Sequence, residues 1–212
     1  MKTLILDFDG TIADTRSSII KTVQLTAKEL GLGNIRDEDV QYLIGLPIRE
    51  TFIKALGITD EVSLDKAIGI YRAHYNPISA GMVVLYPNVK NTLQSLFSKG
   101  ISITVASSKG KEALQVLLEK LEISAYIALV FGEQDVENKK PAPDMVLRIL
   151  EITKTQPEAA LVVGDTIFDI EMGQRAGCAT CGVTYGNHSE TQLREQGATF
   201  LINDFKKLID FF

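Results

Sequence analysis

From Leu85 to its end, the chain alternates β-branched runs with segments of helical spacing, and this alternation limits the folds open to it. "NVKNTLQSLFSKG" has the apolar spacing of a helix and a glycine stop, and "ISITVAS" reads as a buried strand. "KEALQVLLEKL" is helical, "YIALVF" strand-like, and "PDMVLRILEIT" helical with Pro143 at its start. "AALVVGD" is a strand, "IFDIEMGQRAG" a helix, "ATCGVTY" and "ATFLI" strands, and "DFKKLIDFF" a last helix. Strands separated by helices predict an α/β fold, a parallel sheet with helices on both faces.

Residues 17–78 follow a different pattern. Ile19, Val23, Ala27 and Leu30 recur at helix spacing and stop at Gly31. Val40, Leu43 and Ile44 follow Asp37, read as an N-cap. Phe52, Ile53 and Leu56 mark a third helix ending at Gly57, and Leu64, Ile68, Tyr71 and Tyr75 a fourth, which Pro77 is expected to halt. The expected organisation is a core of residues 1–14 and 82–212 with an inserted all-α four-helix unit, 15–81. A chain of 212 residues, 45% hydrophobic and 23% charged, has enough apolar side chains to fill both.

The charge balance excludes some partners. A net charge of −5 and no Lys/Arg cluster argue against nucleic acid. The apolar run after Lys2 breaks at Asp7, so a secretory signal is not expected, and no apolar segment approaches the ~20 residues of a membrane span. A soluble, cytoplasmic protein is expected. Cys178 and Cys181 form one C-x-x-C without a second pair, inside a strand-like stretch, and read as packing residues. His74 and His188 have no partner at ligand spacing and are assigned no role.

In parallel sheets of this kind ligands bind beyond the carboxyl ends of the strands. The first strand runs into "LILDFDGTIADT", where Asp7 and Asp9 lie on the same side about 6–7 Å apart. At a dielectric near 20, like charges about 5 Å apart repel by roughly 3 kcal/mol. That arrangement is tolerable if a cation binds there. Ser107 and Ser108 follow "ISITVA", Asp165 and Asp169 follow "AALVVG", and Lys139 and Lys140 sit in "ENKKPAPD". Taken singly, Asp165 also reads as a helix cap, Ser107 as turn chemistry and Lys140 as a solvated lysine. Their order and shared strand-end placement predict one site of carboxylates, hydroxyls and a lysine, an oxygen-rich set suited to Mg²⁺ and a phosphate.

These motifs, "DFDGT", "ITVASS", "KKPAPD" and "VVGDTIFD" in that order, resemble those of the haloacid dehalogenase superfamily, and within it the phosphoglycolate-phosphatase-like branch with a helical cap. The resemblance implies a Rossmann-like core with the helical unit as its cap. It also implies Mg²⁺-dependent hydrolysis of a small phosphorylated metabolite, with phosphoglycolate the expected substrate. Asp7 would be the nucleophile and Asp9 the general acid and base, its backbone carbonyl reaching the metal. Asp165 would bind Mg²⁺ directly and Asp169 through a water. Ser107 would hold a phosphoryl oxygen, helped by the N–H of Ser108, and Lys140 would offset charge. Gly10 would let the backbone approach the phosphate, Thr11 would order the loop, and Arg49 in "GLPIRE" offers a contact to an anionic substrate. The cap is expected to hinge at "TRSS" and at "SAGM", residues 79–82.

Two rivals stand beside this reading. A phosphosugar mutase would use the same residues, although the histidine usual shortly after its first motif is replaced by Arg16, Ser17 and Ser18. A non-catalytic binding protein on the same fold would most cheaply lose Asp7, Asp9, Lys140 or Asp165, and all four are present. The expected assembly is a monomer or homodimer.

Overall fold

The computed structural model describes residues 1–212. β1 (Thr3–Leu6) is buried along its whole length, as an apolar run must be when helices cover both faces of its sheet. A short strand β2 (Ala13–Asp14) leads into four helices, α1 (Arg16–Glu29), α2 (Asp37–Gln41), α3 (Ile48–Leu56) and α4 (Glu61–Met82). The chain returns through β3 (Val84–Leu85) to α5 (Val89–Ser98), β4 (Ser102–Ala106), α6 (Lys111–Lys120), β5 (Leu129–Phe131) and α7 (Asp144–Thr153). It ends with β6 (Ala160–Gly164), α8 (Ile167–Arg175), β7 (Ala179–Val183), α9 (Glu190–Glu195), β8 (Phe200–Ile202) and a 3-10 helix, Phe205–Phe211.

Six strands form one parallel, Rossmann-like sheet in the order β5–β4–β1–β6–β7–β8. The strand order reverses beside β1, which is where such sheets open a crevice for ligands. Leu6 is level with Val105 of β4 and Val163 of β6. The residues that follow these three strands therefore emerge side by side. Along β1 the side chains alternate between faces: Leu4 and Leu6 join Val89, Leu93 and Leu96 of α5, while Ile5 packs with Met145 and Ile149 of α7 and Met172 of α8.

Several elements differ from the sequence reading. Pro77 does not stop the fourth helix, which runs to Met82. Buried Tyr71, Tyr75 and Ser79 anchor it on both sides of the proline, and Lys120 donates to the carbonyls of Ser79 and Ala80 at its end. "SAGM" is thus the last turn of α4, not a loose joint, and "TRSS" opens α1. The two chain crossings between core and helical unit are instead tied by the β2–β3 ribbon, with Ala13 opposite Leu85 and Asp14 opposite Val84. Asp37 is the first residue of α2 rather than its cap, and its carboxylate accepts from Gln24 Nε2 at 2.8 Å. In "YIALVF" only Leu129–Phe131 pair, as a short edge strand, and the last helix is 3-10. No helix is long and apolar enough to cross a membrane.

Candidate active site

Asp7 is the first residue beyond β1, and its N–H still donates to the Val163 carbonyl at 2.9 Å, so the side chain is fixed at the sheet edge. Ser107 and Asp165 take the same place after β4 and β6, Asp169 lies in the first turn of α8, and Lys140 enters from the loop before α7. All five are buried, Asp165, Asp169 and Ser107 completely.

Lys140 holds the cluster together. Its Nζ is 2.6 Å from Oδ1 of Asp7 and 2.6 Å from Oδ1 of Asp169. Burial opposes the charge on Lys140, but Asp169 and Asp7 outweigh that effect and keep its pKa above the usual lysine value. Oδ2 of Asp169 accepts from the N–H and hydroxyl of Thr166, so both of its oxygens are engaged. Oδ1 of Asp165 accepts from the Thr11 hydroxyl at 3.1 Å, and Oδ2 from Asn187 N and Nδ2 at 2.7 and 2.8 Å. Oδ2 of Asp7 has no partner at all.

Carboxylate oxygens of Asp7, Asp165 and Asp169 lie within 4.8 Å of one another. Three carboxylates face one ammonium. Burial, then repulsion from Asp169, pushes Asp165 up to about 7, against the hydrogen bonds from Asn187 and Thr11. Burial likewise holds Asp7 well above the carboxylate range despite Lys140, with Asp169, Asp165 and Asp9 adding repulsion. An oxygen-only set with surplus negative charge and one unpartnered buried oxygen fits a hard divalent cation.

The Asp9 carboxylate is not among the three. Its Oδ1 lies 3.1 Å from Nζ of Lys109, which also donates to the Tyr75 hydroxyl at 3.0 Å and sits 4.2 Å from the centre of that ring. Lys109 and Asn187 were absent from the sequence reading. The signal available for each was a polar side chain shortly after a strand, in "ASSKG" and "TYGNHS", and nothing local separates such residues from solvated loop positions.

Other predicted residues have different surroundings from those expected. A Cβ on Gly10, whose φ is +91°, would come within 2.2 Å of Asp165 Oδ2 and 2.4 Å of Asn187 Nδ2, and its N–H donates to the Ala13 carbonyl. Glycine is therefore required here by the approach of Asp165, and Thr11 likewise acts on Asp165; neither lines the cavity. The Ser108 hydroxyl donates to the Gly45 carbonyl at 2.6 Å, joining core to helical unit. Arg49 is not brought to the site: it is held at 2.5 Å by both Glu61 and Asp65 on the exposed flank. His188 accepts from Ile167 N–H and bonds the Tyr42 carbonyl, a second link between the two parts.

The site opens into a cavity of about 410 Å³ between core and helical unit. Asp7, Asp9, Ser107, Ser108 and Lys109 line it from the core, and Ile44, Leu46, Ile48, Tyr71, Arg72 and Tyr75 from the helices.

The sequence profile of the haloacid dehalogenase-like hydrolase family matches residues 4–183. A phosphoglycolate phosphatase of Aquifex aeolicus is 34% identical, with 99% of this chain and 97% of the relative aligned. The pyrophosphatase PpaX of Oceanobacillus iheyensis is 31% identical over 99% of this chain and 95% of its own. Among solved structures, a haloacid dehalogenase-like hydrolase of Bacteroides fragilis superposes with a TM-score of 0.93 at 26% identity, covering 98% of this chain and 99% of that one.

Proposed function

This chain belongs to the haloacid dehalogenase-like hydrolase family, and from that premise we propose that it is a Mg²⁺-dependent phosphatase acting on a small phosphorylated metabolite through a phosphoaspartate at Asp7. The observation that carries this reading is Oδ2 of Asp7, a residue lining the cavity: this oxygen is buried with no partner while Lys140 grips the other one. An unsatisfied buried acceptor costs about 1–3 kcal/mol, more when charged, and a bound ligand offsets that cost.

Asp7 attacks phosphorus in line, and its new P–O bond forms as the bond to the leaving oxygen breaks. Asp9 gives a proton to that oxygen, then takes one from the water that cleaves the acyl phosphate, which frees inorganic phosphate and regenerates Asp7. The Ser107 oxygen already accepts from Lys109 N–H, which leaves its own O–H to donate to a phosphoryl oxygen. Lys140 offsets the charge gathered on Asp7 and the transferring group. Asp7, Asp165 and Asp169 would hold Mg²⁺, and the bound ion would supply charge neutralisation at the transferring phosphoryl group.

The relatives' names, a phosphoglycolate phosphatase and a pyrophosphatase, support a small phosphate compound as substrate. Two free buried thiols, Cys178 and Cys181, support a reducing, cytoplasmic setting. Phosphate release from p-nitrophenyl phosphate, with Mg²⁺ and then with a chelator, tests the reading. Turnover that the chelator removes is expected. Absence of turnover in both conditions sinks it.

A further inference from the structure

Resting on the phosphatase reading, we propose that the group leaving phosphorus is an uncharged alcohol with an apolar or ring-shaped body, not one carrying a second anionic group. Two observations lead there. The first is the lining of the cavity. Ile19, Ile44, Leu46, Ile48 and the paired rings of Tyr71 and Tyr75, 5.5 Å apart and 19° from parallel, form its apolar wall. A two-carbon fragment leaves most of that wall in water, whereas a ring covers it.

The second is the state of the cations. Only two cationic side chains line the cavity, and both are already paired. Lys109 lies 3.1 Å from Asp9 and donates to Tyr75. Arg72 makes one contact to Glu133, at 3.3 Å, with the arginine side chain 60% exposed and that of the glutamate 13%. Glu112 adds a further carboxylate to the lining. A carboxylate or second phosphate on the substrate would have to share Arg72 with Glu133 and lie near the carboxylates of Glu133 and Glu112. A neutral body meets neither obstacle. Glu133 is on this account the residue that sets specificity, by occupying the one arginine of the wall.

The test compares kcat/KM for benzyl phosphate and 2-phosphoglycolate under the same conditions with saturating Mg²⁺. Both release a primary alkoxide of similar basicity, so the ratio reports recognition of the body rather than leaving-group chemistry. Benzyl phosphate is expected to lead by about tenfold or more. A ratio near one, or a preference for phosphoglycolate, would overturn the proposal. In Glu133→Gln, which releases Arg72, the ratio is expected to drop by about fivefold or more. An unchanged ratio in the folded variant overturns the role of Glu133. Failure to hydrolyse p-nitrophenyl phosphate would instead overturn the phosphatase reading itself.

Discussion

Nζ of Lys109 lies 3.1 Å from Oδ1 of Asp9 without the alignment of a hydrogen bond, an ion pair that fixes the proposed proton donor from the side. The same ammonium donates to Tyr75 on α4, so the position of Asp9 is tied to the helical unit. Lys109→Met should therefore impair protonation of the leaving group. General acid catalysis is typically worth about 10²–10⁴-fold. The expected result is a loss of kcat near the lower end of that range on an alkyl phosphate, and a much smaller loss on p-nitrophenyl phosphate, whose leaving group needs little help. Equal losses on both would show that Lys109 acts on binding or folding instead.

Asp7→Asn keeps the shape of the side chain and removes the nucleophile. Phosphate release should fall by about 10⁴-fold or more, while the thermal midpoint stays level or rises, because one of several mutually repelling buried acids is gone. Turnover within about tenfold of the parent would mean that another group attacks phosphorus.

Lys140→Met leaves the Asp7 and Asp169 carboxylates facing each other in a buried site with no counter-ion. Breaking such a pair typically costs about 3–5 kcal/mol. Urea unfolding in the presence of a chelator should show a loss of that size, and Asp169→Asn added to Lys140→Met should recover part of it. If the double variant is no more stable than Lys140→Met, repulsion between the two acids is not the cause.

The layered α/β fold was legible because burial leaves a period in the sequence: Leu4, Leu6 and Ile5 alternate between two faces just as a doubly covered strand requires. The strand-end acids were legible for a related reason, since several carboxylates gathered at one sheet edge repel one another unless something positive binds there. Periodicity does not report which distant side chain arrives opposite. Lys109 meets Tyr75, and Asn187 meets Asp165, only through the packing of α4 on the core and the turn after β7. Gly10 is expected from its motif to let the backbone approach a phosphate, yet the reason it must be glycine is the side chain of Asp165, 155 positions along the chain. Pro77 misled for the converse reason: a local penalty of about 3 kcal/mol is outweighed by tertiary anchoring of α4 at Tyr71, Tyr75 and Ser79.

The buried acids also set how stability depends on pH. Asp165 has a folded-state pKa pushed up to about 7 from an ordinary 3.8, so between those values the native protein holds a proton that the unfolded chain has released. Stability changes with pH in proportion to protons bound unfolded minus protons bound folded, which is negative here. The contribution of Asp165 is therefore fully present below about pH 4, declines as pH rises, and is gone above about pH 7. Asp7 is shifted in the same direction. The carboxylates with lowered pKa values, Asp39, Asp60, Glu122 and Asp204, lose their contribution only as pH falls through the ordinary carboxylate range, so they do not mask the effect above it. His188, held below the usual imidazole value by burial, works the other way over part of the interval, and the larger shifts of Asp165 and Asp7 set the net sign. A divalent cation requires the ionised acids, and whatever binds the folded state alone stabilises it by mass action. With a chelator present, the thermal midpoint should fall between about pH 5 and pH 7. With Mg²⁺ present, the gain over the chelated sample should widen across the same interval. A midpoint that rises with pH in the chelator, or a Mg²⁺ gain that is constant with pH, would separate Asp165 from metal binding.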